Sequence, residues 1–558
     1  MTTPRRRADP SPPPARRLLH RLGSAASGLQ TLAYSSKKEG GGGDMGPRNG
    51  GSSSNRRPGF VDSSSWRYFD SRVVGITRGD IPRHAWTVLH RLKRKGFAAY
   101  LVGGCVRDLL LKRAPKDFDV ITTASLQQIK KMVFQRCIII GKRFPICQVN
   151  MYGTKIEVSS FSTNANHVKG SKHIGCSEEF KRYDEGDILL WQNSMKRDFT
   201  INSLFFNPFN FKIYDYVNGV RDISKNKVST VIPARVSFKE DPARILRGLR
   251  IAARLGFEFS SETSAAIREL SLSITDIDKA RLMMELNYLL SYGAAASSLR
   301  LLRKYGLLDF LLPFQAAYMS DQMKDKSNDT DLMLMKLLAN LDKLLSADRP
   351  CPSCLWLALL TFHSALVNSP HDAQVIRAFA ALMYFGSWEG AVNFLNQDIG
   401  APAPFIPETL GPSRSKLENL MEQTSHLASL VKSSVDTLTS IDALQQSLAK
   451  YSKASQVSGL VLVSSRERER VLRIFEGLDT DLTSYEGTRG MQEIDYKLLK
   501  DGHPGEVRFV LGQVIMDTMS EELPRVSTEY DQLNMEASED DLADGSRPSL
   551  STLFSSKS

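Results

Sequence analysis

The sequence predicts a small α/β head, a mixed sheet with helices, followed by a long all-α neck and body, with disordered N- and C-terminal ends. Three observations carry that prediction. Between residues 84 and 160, short strand-like runs alternate with helical patterns around a Gly-Gly turn. From about 240 onward the pattern becomes helical and strands are no longer evident. Both ends lack a foldable pattern, the first rich in Arg, Ser, Gly and Pro, the second acidic and Ser-rich.

The elements follow in order. Residues 84–96 suit a helix, followed by the strand Ala98–Val102, the Gly-Gly turn and a helix through Val106–Lys112. Phe118–Ile121 and Lys155–Ser159 read as strands, with a helix over Leu126–Phe134 between them. Residues 240–310, 330–395 and 414–475 read as helices, and no internal repeat is present. The expected domains are a catalytic head at 66–220, a helical neck at 221–310, an RNA-binding helical body at 311–519 and an acidic tail at 520–558.

With 558 residues, 42% apolar and 24% charged, the chain sits at globular averages, which excludes a wholly disordered, collagen-like or disulfide-stapled protein. No apolar run approaches a membrane span, so a membrane is not an expected partner. Six cysteines, Cys105, Cys137, Cys147, Cys176, Cys351 and Cys354, are scattered, as in a reducing compartment. Cys351 and Cys354 have the spacing of half a zinc site, but without a second pair nearby they read as reduced cysteines. The net charge of +12 is uneven: residues 1–58 carry +8 and residues 521–544 carry −8, leaving +10 on 59–520. A folded middle of that sign suits a polyanion such as RNA. Residues 1–58, Arg- and Ser-rich and acid-poor, read as an organellar transit peptide and linker, for a mitochondrion or chloroplast; a disordered tail or RNA-binding arm is the alternative. The acidic stretch is a solubilising tail or a seat for a protein partner.

The chemistry concentrates in Leu101-Val102-Gly103-Gly104-Cys105-Val106-Arg107-Asp108 and Asp117-Phe118-Asp119-Val120. Two glycines between strand and helix let the backbone approach phosphates, although this is neither a Walker loop nor a dinucleotide fingerprint. On a strand, Asp117 and Asp119 project from one face. Two carboxylates so placed repel and raise each other's pKa unless a cation neutralises them. Mg²⁺ prefers carboxylate and phosphate oxygens together, which suits phosphoryl or nucleotidyl transfer. An isolated Asp-x-Asp would be an exposed strand face; the Gly-Gly turn a dozen residues upstream favours a metal site. Glu157, on a neighbouring strand, is a candidate third carboxylate, with a plain surface Glu as the alternative. Further along, Arg244, Arg247, Arg250 and Arg254 fall within about a third of a helix circumference, opposite Ile245, Leu246, Leu249, Ala252 and Ala253.

These residues resemble the tRNA nucleotidyltransferase/bacterial-type poly(A) polymerase family. Gly103-Gly104-x-Val106-Arg107-Asp108 with Asp117-x-Asp119 is similar to its head, Arg197-Asp198-Phe199-Thr200-Ile201-Asn202-Ser203-Leu204 to its ribose-sensing motif, and Asp215-Tyr216-Val217-Asn218-Gly219 with Asp222 to its hinge. Glu240-Asp241-Pro242-Ala243-Arg244-Ile245-Leu246-Arg247-Gly248-Leu249-Arg250 resembles its base-selecting helix. The order of the motifs agrees over roughly residues 84–310. One departure is Ser160-Phe161-Ser162, where the family often continues into Thr-Phe-Arg. The resemblance implies a template-independent nucleotidyltransferase acting at RNA 3′ ends, with Mg²⁺ or Mn²⁺ as cofactor and ATP as substrate. It implies that Asp117 and Asp119 hold metal, with Glu157 beside them; that Gly103, Gly104 and Arg107 cradle the triphosphate; that Arg197 and Asp198 sense ribose and phosphate. Asp241 and Arg244 would then read the base edge, with Arg247 and Arg250 orienting it. The stretch Ile139-Ile140-Gly141-Lys142-Arg143-Phe144-Pro145-Ile146-Cys147-Gln148-Val149 resembles the signature of the poly(A) polymerase branch, so AMP addition is expected; CCA addition to tRNA and an inactive RNA-binding member are the alternatives.

Overall fold

The computed structural model describes residues 66–520 and Ser63, apart from 135–136, 142–144, 163–182, 325–328, 398–404, 411–416, 452–460 and 488–492. The expected transit segment and acidic tail, the basic pair Lys142 and Arg143, and Cys176 therefore lie outside the described residues.

The head is built on a mixed sheet of β1 (Arg67–Asp70), β2 (Ala99–Val102), β3 (Val120–Thr122), β4 (Cys137–Ile140), β5 (Ile146–Met151), β6 (Thr154–Ser160), β7 (Phe205–Asn207) and β8 (Lys212–Asp215), in the spatial order β1-β8-β7-β2-β3-β6-β5-β4. Only β3 and β6 run parallel, with Val120 opposite Val158 and Thr122 opposite Ser160. Val120, Val158, Leu101 and Phe206 point into the main core, against the helix Arg83–Arg94, whose Ala85, Val88, Leu89 and Leu92 form its buried stripe. The other face carries a smaller aromatic cluster of Trp66, Val102, Ile121, Leu190, Phe205, Tyr214 and Tyr216 beneath the helix Glu185–Ser194. The strands β1, β4, β5, β7 and β8 were not anticipated as such. The expected helix over Leu126–Phe134 is one α-turn, Leu126–Gln128, running into a wider turn over Ile129–Val133.

Behind β8 the hinge motif closes on itself. Asp215, almost fully buried, accepts from the amides of Val217, Gly219 and Val220 at 3.1, 2.9 and 2.9 Å. Gly219 is demanded by space: a Cβ there would meet the Thr200 carbonyl at 2.4 Å. The neck then follows as helices Ala234–Glu240, Ala243–Leu255, Ser261–Glu269 and Lys279–Leu290, with one two-residue parallel strand pair, Lys227–Val228 with Glu258–Phe259. The body, expected to be all-α, is helical apart from a two-residue parallel pair, His371–Asp372 with Thr409–Leu410, and its last helix, Pro504–Met519, packs on Ala373–Phe385 and Met333–Leu344. Gly512 lets two helices approach closely, since a Cβ would lie 2.6 Å from the Ala380 carbonyl. Arg377 donates to the Met519 carbonyl at 3.3 Å across the same contact, and Asn340, on Met333–Leu344, donates to Thr518 Oγ1 at 2.9 Å. Among the described residues, no helix is long and apolar enough to cross a membrane.

Candidate active site

Asp117 and Asp119 lie on the extended lead-in to β3 rather than inside the strand, which starts at Val120. The ladder nevertheless reaches Asp119, whose carbonyl accepts from the Val102 amide at 3.0 Å. Val120 and Val158 share the core face, so the preceding residues on these parallel strands, Asp119 and Glu157, share the opposite one. Asp117 joins them two residues upstream while Phe118 points into the core. The three carboxylates share one sheet face and act on one another electrostatically. Burial, then Glu157 and Asp117, push Asp119 up to about 6, against the pull of Arg197. Burial and Asp117 likewise raise Glu157. Crowded acids of this kind fit a hard divalent cation. Among the described residues no group of three His, Cys, Asp or Glu side chains is placed to hold a metal ion. Mg²⁺ sites in general use one or two carboxylates together with substrate phosphates rather than an all-protein cage.

Above the carboxylates, Gly103 adopts φ 82° and ψ −137°, a conformation closed to residues with a Cβ. A Cβ there would also sit 3.3 Å from Arg197 Nη1. The following helix begins at Gly104 and ends at Leu110, two residues earlier at each end than expected. Arg107, expected to face a triphosphate, is turned inward. Its Nε and Nη2 bond Asp108 Oδ1 at 2.9 and 2.8 Å, and its Nη1 donates to Asn202 Oδ1 at 2.6 Å. With the acid next door neutralising it, Arg107 braces the turn against the 197–204 motif. Arg197 donates to Asn193 Oδ1 at 3.1 Å and to the Asn202 carbonyl at 3.2 Å. Burial lowers its pKa, opposed by Asp198 and Asp119.

The base-selecting segment forms the helix Ala243–Leu255, with Ile245, Leu246, Gly248, Leu249, Ala252 and Leu255 buried as its pattern predicts. Its arginines do not form an open face; carboxylates already hold three of them. Arg244 Nη1 donates to Ser237 Oγ at 2.9 Å and to Glu240 Oε2 at 3.1 Å. Arg247 grips Asp198 Oδ2 through Nη2 at 2.5 Å and Nε at 3.1 Å, which ties the ribose-sensing motif to this helix. Burial alone would raise Asp198, but Arg247, the Phe199 amide and Arg197 together hold it below the usual carboxylate range. Arg250 stands 3.6 Å from Glu285 Oε2 and 4.8 Å from the Tyr288 ring centroid. Asp241 accepts from the Ala243 amide at 3.3 Å and from Arg281 Nη2 at 2.9 Å.

Arg281, Glu285 and Asn202 were not singled out from sequence. One signal was available: Glu285 occupies an apolar position in the stripe Leu282, Leu286, Leu289 of the helix Lys279–Leu290. A buried acid at such a position needs a cationic neighbour, although burial still raises its pKa. The segment 139–149 forms the hairpin β4–β5 at the sheet edge, with Gly141 at φ 90°. Cys351 and Cys354 are buried, and burial pushes their thiols up to about 12 and 11.

Two family models match the chain. Residues 99–229 match the "Poly A polymerase head domain", and residues 256–319 match the "Probable RNA and SrmB- binding site of polymerase A". The Poly(A) polymerase I of Haemophilus influenzae is 33% identical over 293 residues, covering 50% of this chain and 63% of that protein. The Poly(A) polymerase I of Salmonella typhi is 34% identical over 327 residues, covering 57% and 67%. A CCA-adding enzyme of Staphylococcus epidermidis is 28% identical over 296 residues, covering 53% and 64%. The chain thus spans about two thirds of the length of these relatives.

Proposed function

The chain belongs to the tRNA nucleotidyltransferase/poly(A) polymerase family, and from that premise we propose that it adds AMP from ATP to RNA 3′ ends without a template. The observation that carries this reading is the crowding of Asp117, Asp119 and Glu157 on one sheet face beside the Gly103 turn. Asp117 and Asp119 are the residues that would hold Mg²⁺ or Mn²⁺, with Glu157 completing the acidic face. When bound, a divalent cation supplies charge neutralisation at the transferring phosphate and acidifies the attacking 3′-hydroxyl. The Gly103-Gly104 turn gives the triphosphate room against the backbone, with Arg197 behind it. Asp198 keeps the ribose-sensing segment locked to Arg247. Asp241 and Arg244 offer an acceptor and a planar donor to one base edge, which matches adenine more closely than either does alone. In this reading 66–220 carries the chemistry, 221–310 chooses the base and 311–519 holds RNA. The leader 1–58 directs the protein to an organelle.

The preference for poly(A) over CCA rests on two supports: the longer match at 33–34% identity to proteins named Poly(A) polymerase I, 293 and 327 residues against 203 for a CCA-adding enzyme at 34%, and the hairpin segment 139–149. The test offers the purified chain an oligo(A) primer and a tRNA lacking its CCA end, each with ATP or CTP and Mg²⁺. Extension of oligo(A) by many residues with ATP, and little use of CTP, is the expected result. Completion of C-C-A followed by a stop would replace this reading with CCA addition, and absence of any transfer would overturn the enzyme.

A further inference from the structure

Where the head meets the neck, a patch of cations and rings lies outside the chemistry described above. Tyr288 and Tyr292, four residues apart, place their ring centroids 5.6 Å from each other. The Arg250 guanidinium stands 4.8 Å from the Tyr288 centroid, and the Lys116 ammonium 4.7 Å from that of Tyr292. The order across the patch is cation, ring, ring, cation. Both rings are only partly buried, while Lys116 and Arg254 are exposed.

Two features distinguish this patch from the arginine face beside it. Arg244, Arg247 and Arg250 each have a carboxylate within 4.0 Å, whereas Lys116 and Arg254 have none among the described residues. Neither tyrosine hydroxyl has a hydrogen-bond partner among the described residues. The patch also borders the proposed site on two sides. Lys116 immediately precedes Asp117, and Arg254 interacts electrostatically with Asp108 and Arg107 at the glycine turn. Exposed cations with no carboxylate within 4.0 Å suit an external anion, and the part-exposed rings beside them suit bases. That combination is how proteins hold single strands without reading sequence, because every base has a π-face. Indifference to sequence is what a template-independent enzyme needs from its primer site.

We propose that Tyr288, Tyr292, Lys116 and Arg254 seat the single-stranded RNA just upstream of the reacting 3′ nucleotide. The rings stack on its bases and the two cations meet the phosphates between them. The proposal rests on the polymerase reading for its choice of RNA, but its test does not need nucleotide addition.

Binding of a 5′-fluorescein oligo(A) of about fifteen nucleotides to the full chain is followed by anisotropy without nucleotide. Tyr288→Ala with Tyr292→Ala is expected to weaken binding about tenfold or more. Tyr288→Phe with Tyr292→Phe should bind within about twofold of wild type. Lys116→Gln with Arg254→Gln should lower the slope of log Kd against log salt by about one to two. If the alanine pair lowers the melting temperature, Tyr288→Leu with Tyr292→Leu, which keeps apolar bulk without a ring, decides in its place. A folded ring-less variant that binds oligo(A) like wild type overturns the patch, as does tighter binding of blunt duplex RNA than of the single strand. A wild-type protein that binds RNA through these residues yet never extends it would sink the polymerase reading alone.

Discussion

Replacing Asp119 with Asn is expected to stabilise the metal-free protein while abolishing its chemistry. The carboxyl sits among Glu157 and Asp117 in a partly buried position, and its pKa is pushed from 3.8 up to about 6. The folded chain therefore holds this proton more tightly than the unfolded chain does. Stability falls as pH rises between the ordinary carboxylate value and about 6, and the whole penalty is present at neutral pH. Two pKa units correspond to about 3 kcal/mol, and relaxation of the site leaves roughly 1–3 kcal/mol to be recovered. Asn keeps the shape and removes the charge, so the variant should melt roughly 2–8 °C higher at pH 7.5 in EDTA. The gain should shrink as pH falls below about 6 and vanish below about 3.8, where Asp119 is protonated in the folded and the unfolded chain alike. Added Mg²⁺ and ATP should stabilise wild type and leave the variant unmoved, and nucleotide addition should fall at least about a hundredfold. A variant that melts at or below wild type in EDTA at pH 7.5 would refute the crowding on which the metal assignment stands.

Four further outcomes follow. Asp198→Asn should cost about 2–3 kcal/mol by leaving Arg247 without its partner, and adding Arg247→Met should cost clearly less than the sum of the singles; additive losses in denaturant titrations would deny the coupling. Gly219→Ala should cost about 1–3 kcal/mol because its Cβ meets the Thr200 carbonyl; unchanged stability would show that the hinge relaxes freely. Arg244→Ala should stay folded, melting below wild type for its lost bonds to Ser237 and Glu240, and lose tenfold or more of its preference for ATP, since a charged hydrogen bond is worth about 1.5–3 kcal/mol; unchanged nucleotide ratios would move base selection elsewhere. A fluorescent fusion lacking residues 1–58 should stay out of organelles that the full-length fusion enters, and continued import would end the transit reading.

What the sequence made legible divides by distance along the chain. Asp117 and Asp119 share a face through two-residue periodicity, a local property, and the apolar side of Ala243–Leu255 follows from helical spacing in the same way. Glu157 could only be a candidate, because its meeting with Asp119 depends on the parallel pairing of Val120 with Val158, which no local pattern encodes. The partners of the arginines were hidden for the same reason. Asp198 reaches Arg247 across 49 residues, and Arg281 reaches Asp241 across 40. Four arginines on one face therefore read as open to a ligand when most were already answered from other elements. Short strands such as Phe205–Asn207 escaped notice because three residues carry too little alternation to count.

The placement of the last helix sets an order of assembly during synthesis. The catalytic sheet closes when β8 pairs with β1, Asp215 opposite Arg67, so everything it needs has emerged by then. The body waits for Pro504–Met519, whose buried side chains cover Ala373–Phe385 and Met333–Leu344. At about 5–20 residues per second, the gap between the two events lasts roughly 15–60 s. For the last part of that interval, the roughly 7–27 s after residue 385 is made, a ribosome-borne chain carries a finished head and two apolar helices with no cover, the state in which holdase chaperones find their clients.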